Sequence, residues 1–256
     1  MRFPVVFDLG FVAVPAHPVL EVIGYSAGFA IWSRAQQRQL PSLSKDQSLW
    51  LFVGALIGAG LGAKLLGLLE WLPTNLERLS DPKMWFENKT IVGGLLGAWL
   101  GVELAKRAVG VRRSTGDAVV FAFIAGLAIG RVGCFLTGLP DKTVGLHSSL
   151  PWAVDFGDGP RHPSQLYEIV FLGLLGGALF ALRKRFKTPG AMFRVLVVSY
   201  LAFRLVGDFW KPRAPYAWGL SAIQTAGAFG MTAAAVGLVR LRRKEASHGG
   251  SPVPVS

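Results

Sequence analysis

Cysteine is almost absent from this chain: Cys134 is the only one among 256 residues. That excludes an internal disulfide and any multi-cysteine metal site. Cys134 itself reads either as a small core hydrophobe or as part of a polar pocket. Charge is also scarce, at 16% of residues, and acidic side chains are outnumbered 15 to 27 by Lys and Arg. Histidine occurs four times. His147 and His162 share a loop without a compact ligand set, so no metal ligand and no cofactor is expected. What is abundant is apolar: 52% hydrophobic residues, 32 glycines and a mean hydropathy of +0.44. Such a composition lies outside the usual range of soluble domains and points to an integral membrane protein.

Seven runs have few charges and enough length to cross about 30 Å of hydrocarbon. They cover roughly 16–34, 48–69, 90–109, 117–137, 163–183, 191–211 and 217–240. The expected fold is therefore all-α: a polytopic membrane protein whose seven transmembrane helices form one domain over 1–245, with a disordered tail at 246–256. The first run is expected to be retained, because a proline and a histidine interrupt its entry and no small-residue cleavage site is clear. Connecting segments on one side carry sixteen Lys and Arg, including Arg34, Arg38, Arg112, Arg113, Lys184 and Arg185. The other side carries eight: Arg2, Arg78, Lys83, Lys89, Lys142, Arg161, Lys211 and Arg213. The positive-inside rule places the N-terminus outside and the C-terminus in the cytoplasm. The net charge of +12 is then a topology signal, and no nucleic-acid partner is expected.

Ionisable groups inside the runs fall at one depth. Glu21, Lys64, Arg131, Glu168, Arg204 and Asp208 all lie in about the outer third of the membrane, given a rise of about 1.5 Å per residue. On the cytoplasmic side Glu103 stands apart, with Arg107 as its expected i+4 partner. Two readings of the outer layer are open. In one, the carboxylates simply neutralise the cations; in the other, which we favour, they line a polar cavity whose cations hold an anionic lipid headgroup. Arginine suits a phosphate because its planar fork donates two parallel hydrogen bonds and stays charged.

Residues 138–162 form a Pro/Gly-rich external loop, in which Trp152 and Phe156 suit the headgroup region. Pro163 suits a first helical position, so a helix is expected to start there. Gln165 and Glu168 then share a face, with Tyr167 beside them as one wall of the cavity. His162 is either a proton relay or a hydrogen-bonded loop histidine. Arg204 and Asp208, four apart, are close enough to pair. Small residues in GALIGAGLGAK (54–64) and GGLLGAWLG (93–101) are expected to let helix backbones approach closely.

The runs GRVGCF (130–135), PWAVDF (151–156), RHPSQLYE (161–168) and FRLVGDFWKPR (203–213) resemble the prolipoprotein diacylglyceryl transferases of bacterial inner membranes. GAKLL in the second run, Gly93 to Leu95 and Gln224 add to the likeness. The resemblance implies transfer of a diacylglyceryl group from phosphatidylglycerol to the lipobox cysteine of a prolipoprotein signal peptide, with glycerol phosphate released. It makes Arg131 and Arg204 the phosphate-holding cations and puts Glu168 and His162 with them as catalytic. Lys64, Cys134, Gln165, Tyr167, Asp208, Gly93 and Gly94 become substrate-binding. Membrane lipid is the remaining partner. Val92 stands where the family usually has a histidine, and Cys134 where asparagine is common. Rival readings are a paralogue acting on another acceptor and a noncatalytic protein that binds or transports an anionic lipid.

Overall fold

The computed structural model describes residues 3–8, 10, 12–72, 89–212, 215–216 and 218–248, with side chains in the last helix through Arg243. Arg2, Arg78, Lys83 and Arg213 of the charge count, and the tail from 249, lie outside the described residues.

Helix dominates. Among the described residues, seven α-helices correspond to the seven apolar runs: α1 (Ala16–Gln39), α2 (Lys45–Trp71), α3 (Ile91–Ala108), α4 (Val120–Thr137), α5 (Ser164–Leu182), α6 (Ala191–Gly207) and α7 (Ala222–His248). Among the described residues, four stretches are long and apolar enough to cross a membrane: Lys45–Trp71, Gly116–Thr137, Ser164–Arg185 and Ala222–Arg243. The last helix runs to His248, past the expected boundary at 245. Two short antiparallel hairpins depart from an all-α chain: β1 (Val6–Asp8) with β2 (Ala13–Pro15), and β3 (Val154–Asp155) with β4 (Pro160–Arg161).

The chain forms two compact units. The first comprises residues 1–41, 118–183 and 206–213; the second comprises 42–117, 184–205 and 214–256. In the first unit α1 packs along α4, and α4 against α5. The α1–α4 seam depends on small residues: a Cβ added at Gly24 would lie 2.8 Å from the Gly126 carbonyl oxygen. The first hairpin is tied to the end of α4, where Val5 N donates to Leu136 O at 2.8 Å. Helix α4 ends at Gly138, whose φ of 72° is a conformation that side-chain-bearing residues rarely adopt.

In the second unit α2 and α3 form the densest seam. Gly54, Gly58 and Gly62 face Gly101, Gly97 and Gly93 so closely that an added Cβ would meet the opposite carbonyl oxygen at 2.7, 2.2 and 2.3 Å respectively. The sequence expectation of close backbone approach at these glycines is realised here. Helix starts are capped from local sequence: Ser44 and Gln47 form a reciprocal capping box on α2, and Thr90 Oγ1 accepts from Gly93 N at 3.1 Å on α3. Asp117 takes the same part for α6 from outside it, accepting from Gly190 N at 2.6 Å and Phe193 N at 2.9 Å. Near the end of α3, Glu103 pairs with Lys106 at 3.0 Å, three residues on, in place of the expected Arg107. The half-exposed carboxylate is thereby drawn to a buried ammonium.

Candidate active site

The polar layer of the first unit is built on the last turns of α4 and the first turns of α5. Arg131 projects from α4 and is 3% exposed; Glu168 projects from α5 and is 1% exposed. Arg131 Nε lies 2.9 Å from Glu168 Oε2. The pair holds both side chains in one orientation in a poorly solvated place. One turn along α4, Cys134 Sγ lies 3.8 Å from Arg131 Nη1.

A second chain of polar contacts starts at the other member of the α5 face. Gln165, 1% exposed, donates through Nε2 to Thr143 Oγ1 at 3.0 Å, and Ser164 Oγ donates to Thr143 O at 2.5 Å. The Thr143 hydroxyl in turn donates to Asp141 Oδ2, and Asp141 Oδ1 lies 3.2 Å from His17 Nδ1. Gln165 and Glu168 thus share an inward face as expected, but reach different partners. Tyr167 turns elsewhere. Its hydroxyl accepts from Trp152 Nε1 at 2.9 Å and lies 3.1 Å from His162 Nδ1, and its ring meets that of Trp210 edge-on.

Helix α5 begins one residue later than expected, with Pro163 as N-cap and Ser164 as the first helical residue. His162, just before, is held by its backbone: His162 N donates to Leu146 O at 3.0 Å and its carbonyl accepts from Gly145 N at 2.9 Å. Its backbone is thus fixed within the loop. The loop is ordered by an aromatic anchor that differs from expectation. Phe156 is buried, packing on Phe3 and Phe135, whereas Trp152 stays exposed. At the loop tip Arg161 grips Asp158 through Nε at 2.8 Å and Nη2 at 2.6 Å. The guanidinium holds the Asp158 carboxyl below its ordinary range, and Asp158 in turn raises Arg161.

In the second unit Arg204, near the end of α6, is 8% exposed, and Lys64 of α2 is half-buried. Ser221 and Gln224 cap α7 reciprocally: Gln224 N donates to Ser221 Oγ at 3.2 Å and Ser221 N to Gln224 Oε1 at 3.1 Å. The Gln224 amide also donates to Leu205 O at 3.2 Å, anchoring the turn of α6 that carries Arg204. Asp208, 5% exposed, falls just past α6 in a 3-10 turn assigned to the first unit. Gly93 lies in the α2–α3 seam, with Gly62 O 2.2 Å from where its Cβ would be. At Gly94 an added Cβ would meet only ordinary contacts at 3.7 Å.

Sequence reasoning passed over His17, Asp141, Thr143 and Trp210. Each is a polar or aromatic residue near a Pro or Gly break, and none sits at helical spacing from the others. No periodic signal joins them.

Helices long and apolar enough to cross a membrane, with an arginine–carboxylate pair buried among them, define the chain's class as a helical membrane protein. The family model described as prolipoprotein diacylglyceryl transferase matches residues 4–240. The chain belongs to that family. It is 32% identical over 218 residues to the phosphatidylglycerol–prolipoprotein diacylglyceryl transferase of Geobacter sulfurreducens, covering 81% of this chain and 82% of that one. To the enzymes of the same name from Brucella anthropi and Brucella canis it is 29% identical over 226 residues, covering 81% of this chain and 79% of each relative.

Proposed function

We propose that this chain transfers a diacylglyceryl group from phosphatidylglycerol to the thiol of a lipobox cysteine in a prolipoprotein, releasing glycerol phosphate. The observation that carries this reading is Arg131: a buried guanidinium, aimed by Glu168, within a stretch that the family match covers. The acceptor sulfur, as thiolate, attacks the diacylglyceryl carbon that bears the phosphate. The C–S bond forms, the C–O bond breaks, and the electron pair leaves on the phosphate oxygen. Arg131, a donor held in place before the reaction starts, stabilises that oxygen, and the family resemblance gives Arg204 the same phosphate-holding role. Glu168 orients the Arg131 guanidinium, Gln165 and Tyr167 shape the site around it, and Asp208 and Lys64 keep the substrate-binding roles expected of them from the sequence. The thiol proton passes to a base, for which His162 is the candidate. Gly93 and Gly94 are substrate-binding positions in the same reading.

In the same reading all seven helices span the inner membrane of a bacterium as one domain through residue 245. The N-terminus lies outside and the C-terminus in the cytoplasm.

Purified protein incubated with phosphatidylglycerol and a lipobox peptide is expected to give a thioether-linked diacylglyceryl peptide by mass spectrometry, together with an equivalent of glycerol phosphate. Arg131→Ala and Arg204→Ala should each lower turnover about 10²–10³-fold while the protein still inserts. Glycerol phosphate release without peptide modification would overturn the acceptor assignment. Lipid binding without turnover would overturn catalysis.

A further inference from the structure

Three side chains with metal-binding atoms converge in the first unit from three separate segments: His17 from the first turn of α1, Cys134 from the last turn of α4, and Asp141 from the 3-10 turn Leu139–Asp141. Their donor atoms all lie within 4.8 Å of one another. We propose that His17, Cys134 and Asp141 form a three-donor site for a borderline divalent metal ion of the Zn2+ class, with a fourth position open.

The geometry fits that ion. Tetrahedral coordination with Zn–N and Zn–O near 2.0–2.1 Å and Zn–S near 2.3 Å requires donors about 3.3–3.6 Å apart. His17 Nδ1 and Asp141 Oδ1 stand 3.2 Å apart, and the remaining separations need to close by about 1 Å at most. The chemistry fits as well. One imidazole, one thiolate and one carboxylate suit zinc better than magnesium or calcium, which prefer all-oxygen sets. Thiolate and carboxylate together cancel the dication, so the occupied site adds no net charge to a poorly solvated region. Binding displaces the thiol proton to water and requires His17 Nδ1 to carry none.

The donors are also supported from behind, as metal ligands generally are. The second oxygen of Asp141 accepts from the Thr143 hydroxyl, which Gln165 holds from α5 at 3.0 Å. On the far side of Cys134, Arg131 Nη1 reaches the sulfur at 3.8 Å while Arg131 Nε stays paired with Glu168. The His17 backbone packs closely on α4: a Cβ added at Gly133 would lie 3.3 Å from His17 Cα. A larger residue at 133 would push the imidazole away from Cys134. The alternative is a simple His17–Asp141 ion pair beside a protonated thiol, and it makes a different prediction.

Because Cys134 is the only cysteine, a thiolate-to-cobalt charge-transfer band reports this site alone. The full chain, without a polyhistidine tag, would be stripped with chelator in detergent and titrated with Co2+. One equivalent is expected to bind with that band, and Zn2+ should bleach it competitively. Cys134→Ser should abolish the band. His17→Ala and Asp141→Asn should weaken Co2+ binding by more than tenfold, and Thr143→Val about tenfold. His147→Ala should change nothing. Absence of the band in the unaltered protein, or a band indifferent to His17→Ala and Asp141→Asn, would overturn the site. Neither outcome depends on transferase turnover, so the proposed reaction stands or falls separately.

Discussion

At the scale of single residues, the Arg131–Glu168 pair is the contact on which the proposed chemistry turns. Both side chains are almost wholly buried, so removing one partner costs more than the pair itself contributes. Glu168→Gln is therefore expected to lower stability by about 3–5 kcal/mol, read as a fall in thermal midpoint in detergent, and to reduce turnover in the peptide assay. A variant with an unchanged midpoint would show that Glu168 does not hold Arg131. The exposed pair at the loop tip behaves differently. The Asp158 carboxyl is held below its ordinary value, so its contribution is complete above the unfolded carboxylate range, about 4. It is lost only as pH falls through the lower, folded value. The contribution of this contact to loop stability should thus be constant across neutral pH and fall in a step only in acid. Asp158→Asn should remove that acid-side step; a step that persists in this variant would assign it to another group.

At the scale of elements, the α2–α3 seam and the exposed face of α2 provide an internal comparison. Gly58 has the Gly97 carbonyl oxygen 2.2 Å from where its Cβ would sit, whereas Gly60, half a turn away, has nothing within 4 Å. Backbone cannot yield as a flexible side-chain end can. Gly58→Ala is expected to separate the helices and destabilise by about 1–3 kcal/mol or more. Gly60→Ala should be neutral or stabilising by up to about 1 kcal/mol, because alanine is the better helix former. Thermal unfolding of the two purified variants checks this, and equal midpoints would mean that the seam does not depend on the glycines. The same seam gives Gly93 a packing role that is sufficient by itself to require glycine at that position.

At the scale of the whole molecule, the charge asymmetry of the connecting segments makes a claim about orientation. A fluorescent protein fused after Ser256 is expected to fluoresce, and alkaline phosphatase fused at the same point to be inactive, in a bacterial host. The reverse pair of results would invert the topology and place the Arg131 end of α4 on the cytoplasmic side. That would remove the proposed access to exported prolipoproteins.

Local features were legible without coordinates. Among the described residues, helices arise where the apolar runs were expected, because length and hydropathy are properties of contiguous sequence. The start of α5 falls within one residue of the expected Pro163, because proline suits the entry of a helix. That Gln165 and Glu168 share one face of α5 followed from helical spacing alone. Partner choice was not legible. Helices apolar on every side carry little periodic signal for which face turns inward, so their rotation is set by packing against neighbours. Only the tertiary structure joined Glu168 to Arg131, gave Glu103 to Lys106, put Phe156 inside and turned Tyr167 toward His162 and Trp152. It alone brought His17 to Cys134 and Asp141, since no sequence spacing connects residues on two helices and a turn until α1 is laid along α4.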